Sequence, residues 1–428
     1  MGASTRPRQD GLLRALGHRN YRLFFTGQAV SLTGTWMTLA AIGWLVYRLT
    51  GDPLMLGLVG FFLHGPTFLL APLGGVLSDR LDRRNILMAC HVGNMVTVSA
   101  LGALTLSAVV EVWQIFAACA LLGVSKAFEM PARQALVAEV VEDRRHLPNA
   151  IALNSSVFHA AHLVGPLGAA VIIPLFGTRG EAVCFLLDAL SYLPVIYCLL
   201  AMRLTPRRRT GAPRRLMTDM LEGFSYAFGQ APMRDLLLLV GAVAMFGMPY
   251  NTLFPVFAEQ VLGGGPRTYG VLMAASGVGA FAGALHLAAR RSTLGLARVV
   301  GLNVLVFSAA LVGFALSSQL WLSLALLVVI GAAGLTTMVA SNTILQTLVD
   351  EAHRGRLMSL FGMTFMGAMP LGALIHGKIA SLYGAPTAVL VGAAVTAVAG
   401  MVFARRPAAH PEHPRTGDAA NRGDDERP

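Results

Sequence analysis

Three ionisable residues stand out because they lie inside long apolar runs: Lys126, Glu129 and Asp188. A charge in hydrocarbon costs about 2.5 to 3.5 kcal/mol on insertion scales, so each needs a partner or a water-filled path. Burial favours the neutral form of a carboxyl group, which would let Asp188 take up and release protons. The alternative for Asp188 is a structural hydrogen bond to a neighbouring helix. These residues therefore indicate proton or charge chemistry inside a membrane.

Lys126 and Glu129 are three residues apart, a spacing that places both on one face of a helix and allows them to pair. A local ion pair that eases insertion is one interpretation, and a cavity wall that meets a charged substrate is the other. Histidines inside apolar runs could also titrate near neutral pH, although a packed, hydrogen-bonded ring is the simpler interpretation of each. These histidines are His64, His91, His159 and His162.

Membrane helices are needed to position such residues, and the composition provides them. Of the 428 residues, 55% are apolar and 13% are charged, which is more apolar surface than a soluble domain of this length could bury. An apolar helix of about 20 residues crosses roughly 30 Å of hydrocarbon. Twelve runs are candidates: 21–47, 54–78, 86–110, 112–130, 148–176, 181–202, 235–258, 269–289, 296–317, 320–346, 356–381 and 385–404. The sequence therefore predicts an all-α integral membrane protein with 12 transmembrane helices, in which His376 and Lys378 snorkel to the surface at the end of the eleventh.

The arginines are divided very unequally between the two sides of this predicted bundle. If successive connections alternate between the sides, one side receives both termini, the even-numbered connections and nearly all the arginines. The other side receives Arg48, Arg179 and Arg267. The positive-inside rule then places both termini in the cytoplasm. Because topology accounts for the net charge of +11, we expect the lipid bilayer as a partner and no nucleic acid.

Motifs of other chemistries are missing from the sequence. It contains no paired Cys-x-x-Cys, no His-Glu-x-x-His and no phosphate-binding Gly-rich loop ending in Lys-Ser/Thr. The four cysteines lie in apolar runs, where they are expected to pack as small side chains. We therefore expect no enzymatic activity, no cofactor and no metal site, and a proton gradient as the source of energy.

A cluster of charges lies between the second and third apolar runs. Its residues are Gly75, Asp79, Arg80, Arg83 and Arg84. Their spacing resembles the signature loop between the second and third helices of major facilitator superfamily transporters, which usually have Gly where this chain has Asp82. The resemblance implies two pseudo-symmetric six-helix bundles and a gating role for this loop.

The resemblance also implies a partner for Asp79. When the cavity opens outward, Asp79 would lie next to the N-terminal end of the eleventh helix, near Gly355, with Arg354 and Arg356 as additional partners. A helix N-terminus carries unpaired N–H groups and partial positive charge, which a carboxylate stabilises. We therefore expect the loop to control gating and not to contact the substrate.

Three further segments narrow the resemblance to one branch of the superfamily. Pro131–Ala135, Leu147–Ser155 and Arg354–Ser359 are similar to the branch that contains the bacterial enterobactin exporter and macrolide efflux proteins. This similarity says much less about the substrate than about the fold.

A motif of small residues in the fifth apolar run bears on the direction of transport. Gly165, Pro166 and Gly168 resemble the antiporter motif of export-type members, which usually continue with a glycine pair where this chain has Ala169 and Ala170. Proline removes a backbone donor and small residues allow close helix contact, so this segment can bend or pack where the halves meet. The motif favours export, and a packing kink without directional meaning is the alternative.

The longest polar connection divides the chain into two halves. We predict a cytoplasmic N-terminal segment at 1–20, a six-helix bundle at 21–203, a cytoplasmic linker at 204–234, a second bundle at 235–404 and a disordered cytoplasmic tail at 405–428. Within the linker, Leu216 to Phe228 is an amphipathic stretch that can lie along the membrane surface. Similar segments at corresponding helices, such as Pro166–Gly168 and Pro370–Gly372, favour an internal duplication.

By family architecture the first, fourth, seventh and tenth helices line a central cavity. Polar and aromatic residues suited to such a cavity are Gln28, Thr35, Trp36, Asn154, Tyr250, Asn251, Asn342 and Gln346. The resemblance implies a secondary active transporter of the inner membrane, a monomer that exports drugs or a siderophore-like small molecule in exchange for protons. A facilitator or importer of a small metabolite is the alternative, and a non-transporting membrane sensor or scaffold is a more distant one.

Overall fold

The computed structural model describes residues 14–141, 143–202, 216–290, 295–351 and 353–405. Every regular element in these ranges is helical. The predicted disordered tail, most of the N-terminal segment and the start of the linker lie outside the described residues. The domain boundaries of the sequence analysis therefore stay predictions at these points.

Six long helices form the first half. They are α1 (Arg19–Thr50), α2 (Pro53–Arg80), α3 (Arg83–Leu106), α4 (Val112–Val140), α5 (Leu147–Phe176) and α6 (Gly180–Ala201). The turn between α1 and α2 shows how the sequence sets their ends. Gly51 adopts a left-handed φ of 63° that stops α1. Asp52 then caps α2 by accepting a hydrogen bond of 2.9 Å from the Leu54 amide, and Pro53 occupies the first helical position.

The second half begins with a short helix and a broken one. Helix α7 (Leu216–Gly229) precedes the seventh span, which consists of α8 (Ala231–Ala242), a π-helical turn (Val243–Gly247), a 3-10 turn (Met248–Leu253), α9 (Phe254–Val256) and a second π-helical turn (Phe257–Val261). The remaining spans are α10 (Pro266–Ala289), α11 (Leu296–Leu316), α12 (Leu320–Leu348), α13 (Arg354–Tyr383) and α14 (Ala385–Arg405).

The seventh span is irregular where the sequence predicts a plain helix. Pro249 and Pro255 both lack the N–H that an α-helix requires, so the backbone changes its hydrogen-bond pattern around them. Neighbouring helices pack directly on the altered backbone. A Cβ atom at Gly372 of α13 would collide with the Met245 carbonyl, so the absence of a side chain there permits the contact.

The predicted number of spans is confirmed in the part of the chain that the structure describes. Eleven helical stretches are long and apolar enough to cross a membrane, and one of them, Leu147–Ala201, holds two spans. Its two helices, α5 and α6, are joined by a 3-10 turn, Gly177–Arg179. The result is an all-helical bundle with 12 spans in two halves of six.

The bundle has two distinct ends. The arginine-rich end is where α2 passes into α3, at Arg80, Arg83 and Arg84, and the arginine-poor end is where α1 passes into α2, at Gly51. Two helix pairs join the halves: α2 packs on α13, and α5 packs on α10. We call these two contacts the seams.

The apolar cores differ between the two ends. The larger core contains residues of both halves, including Leu56 and Phe185 of the first half and Tyr269 and Ala380 of the second. A separate core lies at the arginine-rich end, and its residues belong to the first half alone, among them Tyr21, Phe24, Leu87, Leu136 and Leu199. The halves therefore share an interior toward the arginine-poor end.

Candidate functional site: a cavity between the two halves

The first seam is closed toward the arginine-poor end. A Cβ atom at Gly57 of α2 would lie 2.6 Å from the Ala373 carbonyl oxygen and 3.2 Å from the Gly377 Cα in α13. A Cβ at Gly377 would lie 3.0 Å from the Pro53 carbonyl oxygen. Glycines thus let the two backbones touch, as at close helix crossings in membranes.

The second seam closes at the same depth. A Cβ atom at Gly270 of α10 would lie 2.6 Å from the Pro166 carbonyl oxygen of α5. Beside it, the rings of Trp44 and Tyr269 stack with their centroids 6.0 Å apart, which links α1 to α10. Backbone and aromatic contacts therefore seal the halves together on this side.

The same helices separate toward the arginine-rich end. Cβ atoms placed at Gly75 of α2, or at Gly355 and Gly362 of α13, would meet no atom within 4 Å among the described residues. Helices α2 and α13 therefore touch at one end and diverge at the other. The space between the halves is a cavity that opens at the arginine-rich end.

The predicted antiporter-like motif lies where α5 touches both neighbours. A Cβ at Gly165 would lie 2.6 Å from the Trp36 Cβ and 2.8 Å from the Thr33 carbonyl oxygen of α1. Pro166 faces α10 through its carbonyl, and Gly168 faces the Met37 sulfur. The motif is a three-helix junction at the closed side of the cavity.

An aromatic cluster stands beside this junction. The Trp36 indole lies against the His162 imidazole with ring centroids 4.0 Å apart, and against the Phe158 ring at 5.7 Å. Trp36 and His162 are both partly exposed and lie near the middle of α1 and α5. Trp36 and His162 therefore form a ring pair at mid-depth, and the cavity position of Trp36 stays a prediction.

Helix α4 carries three charged residues along one face. Glu129 forms its ion pair with Arg133, one turn further along the helix, at 4.0 Å. The sequence allowed Lys126 as the partner, and the structure selects Arg133 instead. Among the described residues, no carboxylate oxygen lies within 4.0 Å of the Lys126 ammonium.

Asp188 lies between α1 and α6 and is completely buried. Its Oδ1 accepts a hydrogen bond of 3.1 Å from the Ser191 hydroxyl, and the Thr38 hydroxyl faces the same carboxyl group. A Cβ at Gly34 of α1 would collide with Asp188 Oδ1, so the carboxyl occupies the space that a side chain would take. Asp188 is thus an interior residue of the first half and has no surface toward the cavity in this structure.

Two predicted cavity residues of α1 instead bond within the first half. Gln28 is buried, with its Nε2 3.4 Å from His91 Nε2 of α3. The Thr35 hydroxyl lies 3.3 Å from the hydroxyl of Tyr192 in α6. Since the rings of His91 and Tyr192 are 5.7 Å apart, polar groups run through the interior from α3 to α6, one helical turn from Asp188. The sequence analysis did not single out Tyr192, because an aromatic residue within an apolar run is expected to pack as an ordinary core side chain.

The predicted cavity residues of the second half also include both buried and exposed side chains. The Tyr250 hydroxyl is buried and lies 2.8 Å from the Ser276 hydroxyl of α10, whereas Asn251 is exposed. On α12, Gln346 donates a hydrogen bond to Asn342, and Gln346 is exposed. Asn154 of α5 is partly exposed near the open end. Tyr250 therefore supports the irregular seventh span, and the amides remain available to the cavity.

The charged loop between α2 and α3 is tied to its own half. Asp82, the departure from the family pattern, caps α3 by accepting a hydrogen bond of 2.8 Å from the Arg84 amide. Arg83 forms an ion pair with Glu139 of α4, and the Arg84 guanidinium donates to the Leu200 carbonyl of α6 at 2.9 Å. Arg80 is exposed, and the side chain of Asp79 lies outside the described residues.

Helix α7 is fastened to the second half at the open end. Glu222 forms an ion pair of 2.9 Å with Arg356. The Tyr226 hydroxyl donates to Asp350 at 3.1 Å, and its ring stacks on His353 with centroids 4.1 Å apart. We call these contacts the α7 clasp. The predicted gating residue Arg356 therefore holds α7 in this state, while Arg354 is exposed.

Three other ionisable residues complete the description. Outside the membrane, hydrogen bonds from the Arg145 side chain and amide lower the pKa of Asp143 to about 2. In α13, Lys378 is exposed as predicted, but His376 is buried, with Nδ1 3.0 Å from the Gly372 carbonyl oxygen. The snorkelling predicted for His376 is wrong because its ring turns inward toward α14. In the described part of the chain, no group of three or more His, Cys, Asp or Glu residues is placed to hold a metal ion.

Comparison with known proteins identifies this architecture. The model of the family described as "Transmembrane secretion effector", a branch of the major facilitator superfamily, matches residues 11–418. The chain belongs to this family. It is a membrane transporter of the major facilitator superfamily, and not an enzyme.

Relatives of this transporter have efflux and siderophore-related names. It is 22% identical to the staphyloferrin A transporter of Staphylococcus aureus, with 85% of this chain and 90% of the relative covered. It is 24% identical to macrolide efflux protein A of Streptococcus pyogenes, over 86% and 92% of the two chains. It is 25% identical to the multidrug efflux pump Tap of Mycolicibacterium fortuitum, over 82% and 87%.

Solved transporter structures share the fold. A bacterial homolog of the human lysosomal transporter Spinster, in an inward-facing and occupied conformation, superposes with a TM-score of 0.72 at 14% identity, covering 90% of this chain and 96% of that one. The nucleoside transporter NupG gives a TM-score of 0.70 at 15% identity, covering 90% and 97%. At these identities the likeness supports the fold alone.

Proposed function

We propose that this transporter is a proton-coupled exporter of the bacterial cytoplasmic membrane, with a drug-like or siderophore-like small molecule as its substrate. It works as a monomer by alternating access, since one chain supplies both walls of the cavity. The observation that carries this proposal is the divergence of α2 from α13, from backbone contact at Gly57 to open space at Gly75 and Gly362. A cavity closed at one end and open at the other is one state of an alternating-access cycle.

Orientation follows from the arginines. Cytoplasmic ends of membrane helices carry an excess of Lys and Arg, so we assign the arginine-rich end and both termini to the cytoplasm. The structure then corresponds to an inward-open state, the one in which an exporter receives its substrate. Reporter fusions after residue 405 and in the 204–234 connection test this assignment, and a periplasmic signal from either would overturn it.

The gate belongs to the open end. In this structure the N-cap residue of α13, His353, makes no side-chain capping bond to the helix, so the first N–H groups of α13 can receive an acid. We propose that Asp79 takes this place when the arginine-rich end closes. A carboxylate at a helix N-terminus contributes about 0.3 to 1 kcal/mol when exposed and up to about 2 when partly buried. Asp79→Asn should therefore raise the inward-open population severalfold without changing substrate affinity in that state.

Coupling requires a group that gains and loses a proton during the cycle. Asp188 is our first candidate because a fully buried carboxyl is stable in its neutral form, and it packs on α1, which also contacts the seam helix α5. Glu129 is the second candidate, on the cavity side and paired with Arg133. Both are in the first half.

A transport assay tests export and coupling together. Cells with and without the gene are loaded with a panel of fluorescent drugs and dyes, and efflux is followed with and without a protonophore. We expect lower accumulation with the gene and loss of that difference with the protonophore. Higher accumulation with the gene would favour the importer, and efflux that ignores the protonophore would overturn proton coupling.

Paired glycine substitutions test alternating access. Gly57→Ala places a Cβ against the α13 backbone at the closed end, whereas Gly65→Ala on the same helix, outside the gating loop, meets nothing within 4 Å. We expect Gly57→Ala to loosen the closed end and slow transport, with Gly65→Ala close to wild type. Single cysteines at the two cavity mouths report the shift by labelling, because the native cysteines Cys90, Cys119, Cys184 and Cys198 are all buried. Equal labelling of both variants would contradict the assignment.

A further inference from the structure

Lys126 has an unusual position for a basic residue. It lies midway along α4, too far from either surface for its side chain to snorkel out of the hydrocarbon. The sequence contains two lysines, and the other, Lys378, is exposed near the end of α13. All other basic side chains of the chain are arginines or histidines. A lysine in mid-membrane therefore requires water or an anion beside it.

The direction of the Lys126 side chain follows from the faces of α4. Trp113 and Leu121 are 63% and 58% exposed and mark the lipid side of the helix. At 3.6 residues per turn, Lys126 lies about 140° around the helix from each of them. Its neighbours Gly123 and Ser125 contact α2 and α3 through hydrogen bonds to Thr67 and Cys90. The remaining face, with Lys126, is turned toward the cavity, and the side chain is partly exposed there.

The charges on this face do not cancel. Glu129 is paired with Arg133 at 4.0 Å, and Lys126 has no carboxylate within that distance among the described residues. Apart from Glu129 and Arg133, Lys126 interacts electrostatically with His64 of α2, which cannot neutralise a cation. One positive charge is thus left over, which suits a monoanionic group such as a carboxylate.

Apolar and aromatic groups lie at the same depth. Trp36 and His162, near the middle of α1 and α5, offer ring faces beside the cavity. An ammonium group together with aromatic faces fits an organic anion with a planar apolar body. We propose that Lys126 binds the carboxylate of the transported molecule, so that this transporter carries aromatic or similarly apolar carboxylates. The proposal rests on the proposed transport function and names its substrate class.

The scarcity of lysines provides a direct test. Reductive methylation with 13C-formaldehyde keeps the positive charge and labels Lys126, Lys378 and the N-terminal amine of the purified protein in lipid nanodiscs. The label is followed by NMR during titration with 2-naphthoate or with its neutral counterpart 2-naphthamide. We expect a saturable shift of the Lys126 signal with 2-naphthoate, none with 2-naphthamide, and no shift of Lys378 with either.

Binding of 2-naphthoate to variants completes the test. Equilibrium dialysis should give a Kd at least about tenfold higher for Lys126→Met, as expected when a charge-assisted hydrogen bond is lost. Lys126→Arg should keep most of the affinity, and Lys378→Met should match wild type. If Lys126→Met does not fold, the NMR titration of the wild type and the affinity of Lys126→Arg still test whether Lys126 binds the carboxylate.

Three results would overturn the proposal: no saturable binding of 2-naphthoate, equal binding of 2-naphthamide, or an unchanged Kd in Lys126→Met. These assays need no proton gradient. Failure of energised efflux with normal 2-naphthoate binding would therefore reject the proposed exporter and leave the anion site standing, whereas efflux of neutral dyes without 2-naphthoate binding would do the reverse.

Discussion

The two halves have the same number of spans but different chemistry inside them. In the first half, ionisable groups lie deep in the bundle: Lys126 and Glu129 on α4 and Asp188 on α6. In the second half, the deep side-chain pairs that the structure describes are between hydroxyls, Tyr250 with Ser276 at 2.8 Å and Ser308 with Thr396 at 2.9 Å, and the buried His376 ring bonds to a backbone carbonyl. Charge is thus concentrated in one half. None of the ion pairs among the described residues crosses the seams, so the halves can move without breaking any of these pairs.

The last helix of each half makes the contrast sharpest. Helix α6 presents Asp188 to α1, and α14 presents Thr396 to Ser308 of α11. Both residues are completely buried. A hydroxyl pair holds helices together at any pH, whereas a carboxyl group can change its charge. This difference is the reason why we place the proposed proton chemistry in the first half and expect only packing contacts at this position of the second.

The largest effect should come from Asp188→Asn. The substitution keeps the shape and the hydrogen bond from Ser191 but removes the titratable group, so we expect proton-driven efflux to fall at least about tenfold. Thr396→Val in the second half should leave coupling intact. Efflux is measured at several pH values in cells with matched expression of each variant. Full efflux by a well-folded Asp188→Asn protein would assign Asp188 to packing and break the comparison.

An acid outside the membrane is a matched control for that experiment. The hydrogen bonds from Arg145 lower the pKa of Asp143 to about 2, so this carboxyl stays ionised between pH 5 and 8. Any stability it contributes is present above its ordinary pKa and would be lost as the pH falls from there through about 2. Asp143→Asn should therefore leave the pH profile of efflux unchanged.

A smaller effect, on stability, is expected from Gly34→Ala. The added methyl group would collide with Asp188 Oδ1 and lie 2.5 Å from the Ser191 hydroxyl. Overpacking of this kind costs about 1 to 3 kcal/mol. Gly93→Ala in α3, where nothing lies within 4 Å, is the control. Thermal unfolding in detergent compares them, and equal melting temperatures would show that α1 and α6 are less tightly joined at Asp188 than described.

The smallest effect should come from Asp82→Ala. Loss of an N-cap carboxylate costs about 1 kcal/mol, and Asp82→Asn should keep most of the cap. Because Arg83 and Arg84 still bind α4 and α6, we expect a lower melting temperature with little change in efflux. A strong efflux defect in Asp82→Ala with normal stability would instead place Asp82 in the gate.

Sequence reasoning predicted the spans well because the thickness of the bilayer sets their length, and the apolar runs end near Gly51 and Gly177. It did not indicate the irregular seventh span, because a proline such as Pro249 or Pro255 does not by itself specify a π-helical turn. Side-chain partners were harder to predict. Helical spacing allows Glu129 to pair with Lys126 or with Arg133, and the choice depends on the surrounding helices.

The sequence also did not predict which way the polar side chains of α1 point. This helix contacts both α5 and α6, so its polar residues can point into the cavity or into the first half. Trp36 is partly exposed beside the His162 ring of α5, whereas Gln28 is buried beside His91 of α3. The contact between Gly34 and Asp188 joins residues far apart in the sequence, and a single sequence contains no local signal for it. The contacts between residues on different helices are therefore the ones that only the structure could provide.

The α7 clasp shortens the part of the chain that connects the two halves. With α7 fastened to the second half through Arg356 and His353, the covalent link between the halves runs from Met202 to Leu216. A chain of that length reaches at most about 50 Å. It therefore acts through effective concentration, on the order of millimolar for a short link. Whenever one seam opens during transport, a link of this length keeps the halves close enough to meet again.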